Sequence, residues 1–201
     1  MVRKTKQEAL ETREGILNAA VNVFYEKGVS STSLEEIAEA AGVTRGAVYW
    51  HFKNKADIFS ALHNRLHTSI MDRLLERKID LSDNPIAEMK AFMLKFMLEL
   101  ENPQTRKIYS LFSLKCDYSG DLENHLSEQS EKKQEAMKMM EGYFEKAIKK
   151  KLIASNSSSM LALSFFCYCC GISTEYIRNP DLFDIQKQAP DLIDQFFKCL
   201  K

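Results

Sequence analysis

Ser33-Leu-Glu-Glu36-Ile-Ala-Glu-Ala-Ala-Gly42-Val-Thr44-Arg45-Gly46-Ala-Val-Tyr49-Trp50-His51 encodes two short helices and the corner between them. Ser33 to Glu36 form a capping box: the hydroxyl takes an orphan amide at the head of a helix while the carboxylate reaches back. Leu34, Ile37, Ala38 and Ala41 then fall on one side of that helix. Gly42-Val43 breaks it, and Thr44 caps a second helix carrying Arg45, Tyr49 and Trp50. A support helix (Leu34–Ala41), a turn with a glycine, and a second helix (Arg45–His51) offering its first residues is the arrangement of a helix-turn-helix DNA reader.

The residue types suit that task. Arg45, at the reader's first turn, has the donors for a bidentate contact with guanine O6 and N7. Gly46 lets the backbone approach a base or phosphate. Ser33, Thr44, Tyr49 and His51 are donors of the kind that hold phosphates and set register, and Lys55 stands at a helix N-terminus, where an anion is favoured. Taken singly, Arg45 and Lys55 read as solvated charges, and Tyr49 as core filler. Their joint order favours the reader. Trp50 and Phe52 are expected to be mostly packing residues.

Outward from this run the chain reads as helical throughout. Glu8–Lys27 repeats Leu10, Leu17, Val21 and Phe24 at helical spacing and stops at Gly28. Asn54 caps a helix running to about Ile79, with Ile58, Leu62, Leu66, Ile70 and Leu74 in an i,i+4 row. Further helices are expected over Pro85–Leu100, Pro103–Tyr118, Asp121–Lys151, Met160–Arg178 and Ala189–Leu200. Four prolines and seven glycines in 201 residues leave little room for an all-β fold. The expected class is all-α, about nine helices: a three-helix reading domain over residues 1–54 and a helical ligand-binding and dimerisation domain over 55–201.

Charge and composition narrow the function. With 28 basic and 28 acidic residues the net charge is zero, which argues against a protein that coats nucleic acid by bulk charge. Locally, however, Ala40–Ala56 has no acid, and Arg3, Lys4 and Lys6 precede the first one, Glu8. Met1–Arg13 has no apolar signal core, and the apolar run Met160–Ile172 is too short to span a bilayer, so a cytoplasmic protein without a membrane partner is expected. Five cysteines, an odd number, argue against a disulfide framework.

The middle of the chain is rich in Met and Phe, side chains that suit an adaptable apolar pocket as well as a plain core. Phe92, Phe96, Phe112 and Met140 are the candidates for lining a cavity. His63 and His67, four apart on one helix, have metal-ligand spacing, but no neighbouring acid or thiol completes a set; they read better as polar residues bordering a cavity. Leu161, Leu163, Phe165, Phe166, Tyr168 and Ile172 make the eighth helix apolar nearly all round, which calls for burial on more than one side. A second copy of the chain would supply that. Cys167-Tyr-Cys169-Cys170 reads as packing there rather than as a redox sensor.

Thr12–Phe59 closely resembles the TetR family of bacterial repressors, on the run from Ser31 through the helix-turn-helix to His51-Phe-Lys-Asn-Lys55. The opening from Arg3 to Arg13 is similar to AcrR-type repressors of multidrug efflux pumps. The resemblance implies a homodimer on a palindromic operator of double-stranded DNA. Arg45 and Gly46 would face bases. Ser33, Thr44, Tyr49, His51 and Lys55 would face phosphates, with Lys4 and Lys6 as an N-terminal arm. Helices eight and nine would form the dimer interface, through Leu161, Phe165, Tyr168, Ile172 and Phe196. A small, hydrophobic inducer in the C-terminal domain would move helix four and part the readers. The function expected is a repressor of a multidrug efflux operon. Its alternatives are a metal- or redox-responsive regulator, or an activator of a non-efflux operon. An enzyme carrying a DNA module is opposed because no nucleophile–base signature, phosphate loop or complete metal set is present, so neither cofactor nor metal is expected. An architectural DNA protein is opposed by the zero net charge and the base-reading arginine.

Overall fold

The computed structural model describes residues 5–75, 84–115, 122–154 and 157–200. Among them are nine α-helices and no strand: α1 Lys6–Lys27, α2 Leu34–Ala40, α3 Arg45–His51, α4 Lys55–Leu75, α5 Pro85–Glu99, α6 Pro103–Ser110, α7 Glu123–Lys149, α8 Ser158–Arg178 and α9 Ile185–Lys198. The caps are the ones the side chains dictate. The Ser33 hydroxyl accepts the Glu36 N–H at 3.2 Å, the Thr44 hydroxyl that of Ala47 at 3.2 Å, and Asn54 Oδ1 that of Asp57 at 2.8 Å. A further capping box, Thr5 with Glu8, starts α1 two residues before the expected Glu8.

Two helices depart from expectation. The stretch read as one helix over Pro103–Tyr118 is α-helical only to Ser110 and continues as a π turn over Leu111–Lys115. The wider turn has no side-chain signature of its own, and residues 116–118 lie outside the described ones. Helix α9 starts at Ile185, not Ala189, and so holds Pro190 in its interior. The missing N–H is offset by the Asp184 cap on Lys187 N–H and by a buried row of Ile185, Ala189, Ile193 and Phe197.

The chain packs as two compact units. The first takes α1 to α3, the start of α4 to His67, and residues 107–125. Ile16, Leu17, Ala20, Val21 and Phe24 of α1 meet Leu34, Ile37, Val48, Phe52, Ile58, Phe59 and Leu62 in one core, joined by Ile108, Leu111 and Phe112. Around it lie the Lys27–Glu36 pair at 2.6 Å and Arg65, 3.4 Å from Glu14. Burying each large apolar side chain contributes about 1.5–3 kcal/mol, against about 0–1 kcal/mol for an exposed ion pair. The core therefore sets where α3 sits. Lys107 Nζ donates to Asn22 Oδ1 at 2.7 Å. Lys115 Nζ donates to the Tyr25 carbonyl at 3.1 Å and lies 3.7 Å from the centre of the Tyr25 ring, so both lysines hold their segment on α1.

The second unit spans 68–106 and 126–201. Met89, Met93 and Met97 form the buried row of α5, which packs on α9 and is tied to it by Lys90 and Asp194 at 2.7 Å. Phe144 of α7, Phe165 of α8 and Phe197 of α9 meet ring to ring. Helix α8 is long and apolar enough to cross a membrane by length and composition, and one of its faces is buried within this chain. Leu161, Ala162, Phe165, Cys169, Ser173 and Tyr176 are buried on one face, and Met160 and Leu163 are exposed on the other.

Candidate nucleic-acid interface

The surface of α3 follows from its period. Val48 and Phe52, four apart, are 0 % and 2 % exposed and anchor the helix in the core. Arg45, Gly46, Tyr49 and Trp50 then share the opposite arc and are all exposed. Trp50 is 73 % exposed, which corrects its expected role as packing; Phe52 does pack. A helical projection of α3 alone puts Trp50 beside Gly46, on the open side, against the indole's apolar character. Gly42, with φ of +64°, makes the corner between α2 and α3, and Val43 N–H returns to the Ala38 carbonyl at 3.0 Å.

Arg45 reaches across this face. Its Nε lies 2.7 Å from Glu35 Oε1 of α2, its Nη2 donates to the Tyr49 hydroxyl at 3.2 Å, and its guanidinium lies 5.2 Å from the centre of the Tyr49 ring. The hydrogen bond it donates to Tyr49, then the charge of Glu35, hold it still more firmly in the cationic form. Both members of the ion pair are open to water, at 62 % and 49 % exposure, so the guanidinium stays accessible to an approaching surface. A Cβ on Gly46 would touch only Thr44 Oγ1, at 3.9 Å. Packing within the chain therefore does not require glycine there, and the bare backbone stays open to an approaching surface.

The other expected contacts are placed unequally. Thr44 is exposed at the tip of α3. The Ser33 hydroxyl is half-buried; besides capping α2 it donates to Glu36 Oε2 at 3.1 Å. Hydrogen bonds from Lys27 and then from Ser33 draw the Glu36 carboxyl down to about 2. Lys55 Nζ donates to the Val29 and Ser30 carbonyls at 3.0 and 2.8 Å, so it pins the α1–α2 loop as well as standing near the surface. His51 is half-buried, edge-on to Trp50 at 4.5 Å between ring centres. Lys6 is exposed in the first turn of α1, and Lys4 lies outside the described residues.

The expected ligand residues divide between the units. His63 is buried against the Phe112 ring at 5.1 Å, and Phe112 lies 4.6 Å from Phe59, all in the first unit. Phe92 and Phe96 are half-buried in the second unit, where Met140 is buried. The side chain of His67 is outside the described ones. Of the expected dimer residues, Leu161 and Phe165 turn inward and are buried in this chain's own core, Phe165 completely. Phe165 packs on Phe196 and Phe197 of α9. Tyr168, Ile172 and Phe196 are half-buried, and the Tyr168 hydroxyl donates to the Leu192 carbonyl at 2.7 Å. Burial pushes the Cys169 thiol up to about 12 and disfavours its thiolate; Cys167 and Cys170 are exposed, which corrects the expectation that this cluster packs as a whole.

Residues 16–62 match bacterial regulatory proteins of the tetR family, and residues 84–201 the C-terminal region of MAATS-type transcriptional repressors. The transcriptional regulator AcrR of Shigella flexneri is 32% identical over 99% of this chain and 95% of its own. The regulator TtgR of Pseudomonas putida is 32% identical over 100% and 97%. Among solved structures, NalD, the secondary repressor of the MexAB-OprM multidrug efflux pump in Pseudomonas aeruginosa, superposes with a TM-score of 0.84 at 31% identity, covering 97% of this chain and 98% of its own. The SmeT–triclosan complex does so with 0.83 at 31% identity, covering 95% and 92%.

Proposed function

The chain belongs to the TetR family of bacterial regulatory proteins, and from that premise we propose that it is a ligand-released repressor of a multidrug efflux operon. It binds a palindromic operator as a cytoplasmic homodimer and lets go when a small hydrophobic molecule occupies its C-terminal part. The observation that carries this reading is the open arc of Arg45, Gly46, Tyr49 and Trp50 on a capped helix anchored by Val48 and Phe52. In this reading residues 1–54 are the DNA-binding domain and 55–201 the ligand-binding and dimerisation domain. Arg45 and Gly46 meet bases, and Ser33, Thr44, Tyr49, His51, Lys55 and Lys6 meet phosphates. Trp50 joins the base-facing arc.

The efflux target is supported by NalD, whose own target is such a pump, and the hydrophobic ligand by SmeT, solved with triclosan. His63, His67, Phe92, Phe96, Phe112 and Met140 are the proposed ligand residues. The dimer face is the exposed side of α8 with Met160 and Leu163, flanked by Tyr168, Ile172 and Phe196. Two readers on half-sites about 34–36 Å apart then act together.

The test is selection of duplexes from a random library by the purified chain. A recurring palindrome, bound well above a scrambled duplex at matched salt, is the expected result. Equal affinity for both would overturn the repressor reading. Deleting the gene should raise transcription of the operon that carries the selected sequence.

A further inference from the structure

We propose that Glu35 is a positioning residue that sets sequence specificity, by bracing the Arg45 guanidinium for a base and damping its attraction to phosphate. The inference rests on the DNA-reading function above. Glu35 lies in the first turn of α2, on the support helix rather than the reader. Its Oε1 sits 2.7 Å from Arg45 Nε, while Tyr49 receives one hydrogen of Nη2. The guanidinium is therefore held along its Nε side and over the Tyr49 ring. Nη1 and the second hydrogen of Nη2 are left for an end-on pair of bonds to guanine O6 and N7.

The charge of Glu35 acts in a second way. Non-specific binding is driven by cations meeting phosphates and releasing counterions. A carboxylate beside the arginine cancels much of that attraction at long range. It leaves the short-range hydrogen bonds to a base in place. Glu35 thus weakens binding to every duplex but weakens it least where a guanine meets the braced arginine. Capping of α2 is the work of Ser33 and Glu36, and the Glu35 side chain is about half exposed, so its replacement leaves the fold in place.

Two substitutions separate the roles. Glu35→Gln removes the charge but keeps an oxygen that can accept from Nε; Glu35→Ala removes both. Each is measured on the duplex selected by the unaltered chain, on a scrambled duplex, and on duplexes with each guanine replaced. Both variants should bind the scrambled duplex about three-fold or more tighter, with a log-affinity against log-salt slope steeper by up to about one. Only Glu35→Ala should also lose about three-fold or more of its discrimination at one guanine per half-site, a loss that vanishes in the Arg45→Ala background. Circular dichroism melts should match the unaltered chain. If both variants select the same sequence with the same ratio and salt slope, the inference fails while the repressor reading stands. If the unaltered chain selects no sequence, both fail.

Discussion

At the scale of single residues, the proposed reader face turns on two neighbours with opposite roles. Arg45 brings donors, and Gly46 brings the absence of a side chain. Arg45→Ala should lower affinity for the selected duplex by about 1–3 kcal/mol, with choice relaxed at one position per half-site; fluorescence anisotropy titrations on substituted duplexes read this directly. Gly46→Ala separates folding from binding. Alanine is the better helix former by about 0.5–1 kcal/mol, and its Cβ meets nothing closer than 3.9 Å. The thermal midpoint should hold or rise while DNA affinity falls. A variant that gained stability and kept full affinity would show that no surface comes close at this position. That Arg45, Gly46 and Tyr49 share an exposed arc follows from residue type and spacing alone. The exposure of Trp50 and the contact of Glu35 with Arg45 do not: an indole is apolar, and the pair spans a corner whose geometry exists only after folding.

At the scale of helices, α1 and α2 are joined by a carboxylate that answers to acid. The folded Glu36 carboxyl sits at about 2, below its ordinary 4.5, chiefly through its hydrogen bond from Lys27. A depressed carboxyl contributes stability that is fully present above the ordinary value and lost as pH falls through the folded one. Thermal midpoints of the unaltered chain should therefore drop between pH 4.5 and about 2, and Glu36→Gln should flatten that drop while lowering the midpoint at neutral pH. An unchanged acid profile would show that other carboxylates dominate it. The helices themselves were legible where an end is written in one or two side chains: Ser33, Thr44, Asn54 and Gly28 each stop or start a helix as their chemistry requires. They were not legible where packing overrides local preference. Pro190 reads as a residue of a first helical turn, yet it lies inside α9 because Ile185 is better buried than left in a loop. The π turn at Leu111–Lys115 likewise answers to Leu111 and Phe112 seated in the core of the first unit.

At the scale of the whole molecule, the proposed assembly rests on the division of α8 into a buried face and an exposed apolar face. Sequence alone gave an apolar helix; only the fold divides Leu161 and Phe165, turned inward, from Met160 and Leu163, at 60 % and 47 % exposure. Leu163→Lys should leave the helical content unchanged and convert the proposed dimer to a monomer by light scattering. Affinity for the full palindrome should then fall to that for a half-site; a variant still dimeric would move the interface elsewhere. The chain also carries a single tryptophan, and that indole is Trp50. Excited at the red edge of its absorption, the unlabelled protein glows from one spot on its reading surface and nowhere else. Its hue and brightness give a built-in gauge of occupancy, with water-like emission when idle and dimmed or blue-shifted light when something settles over α3. Release by the proposed inducer would then be followed in real time on the native chain, with no dye attached.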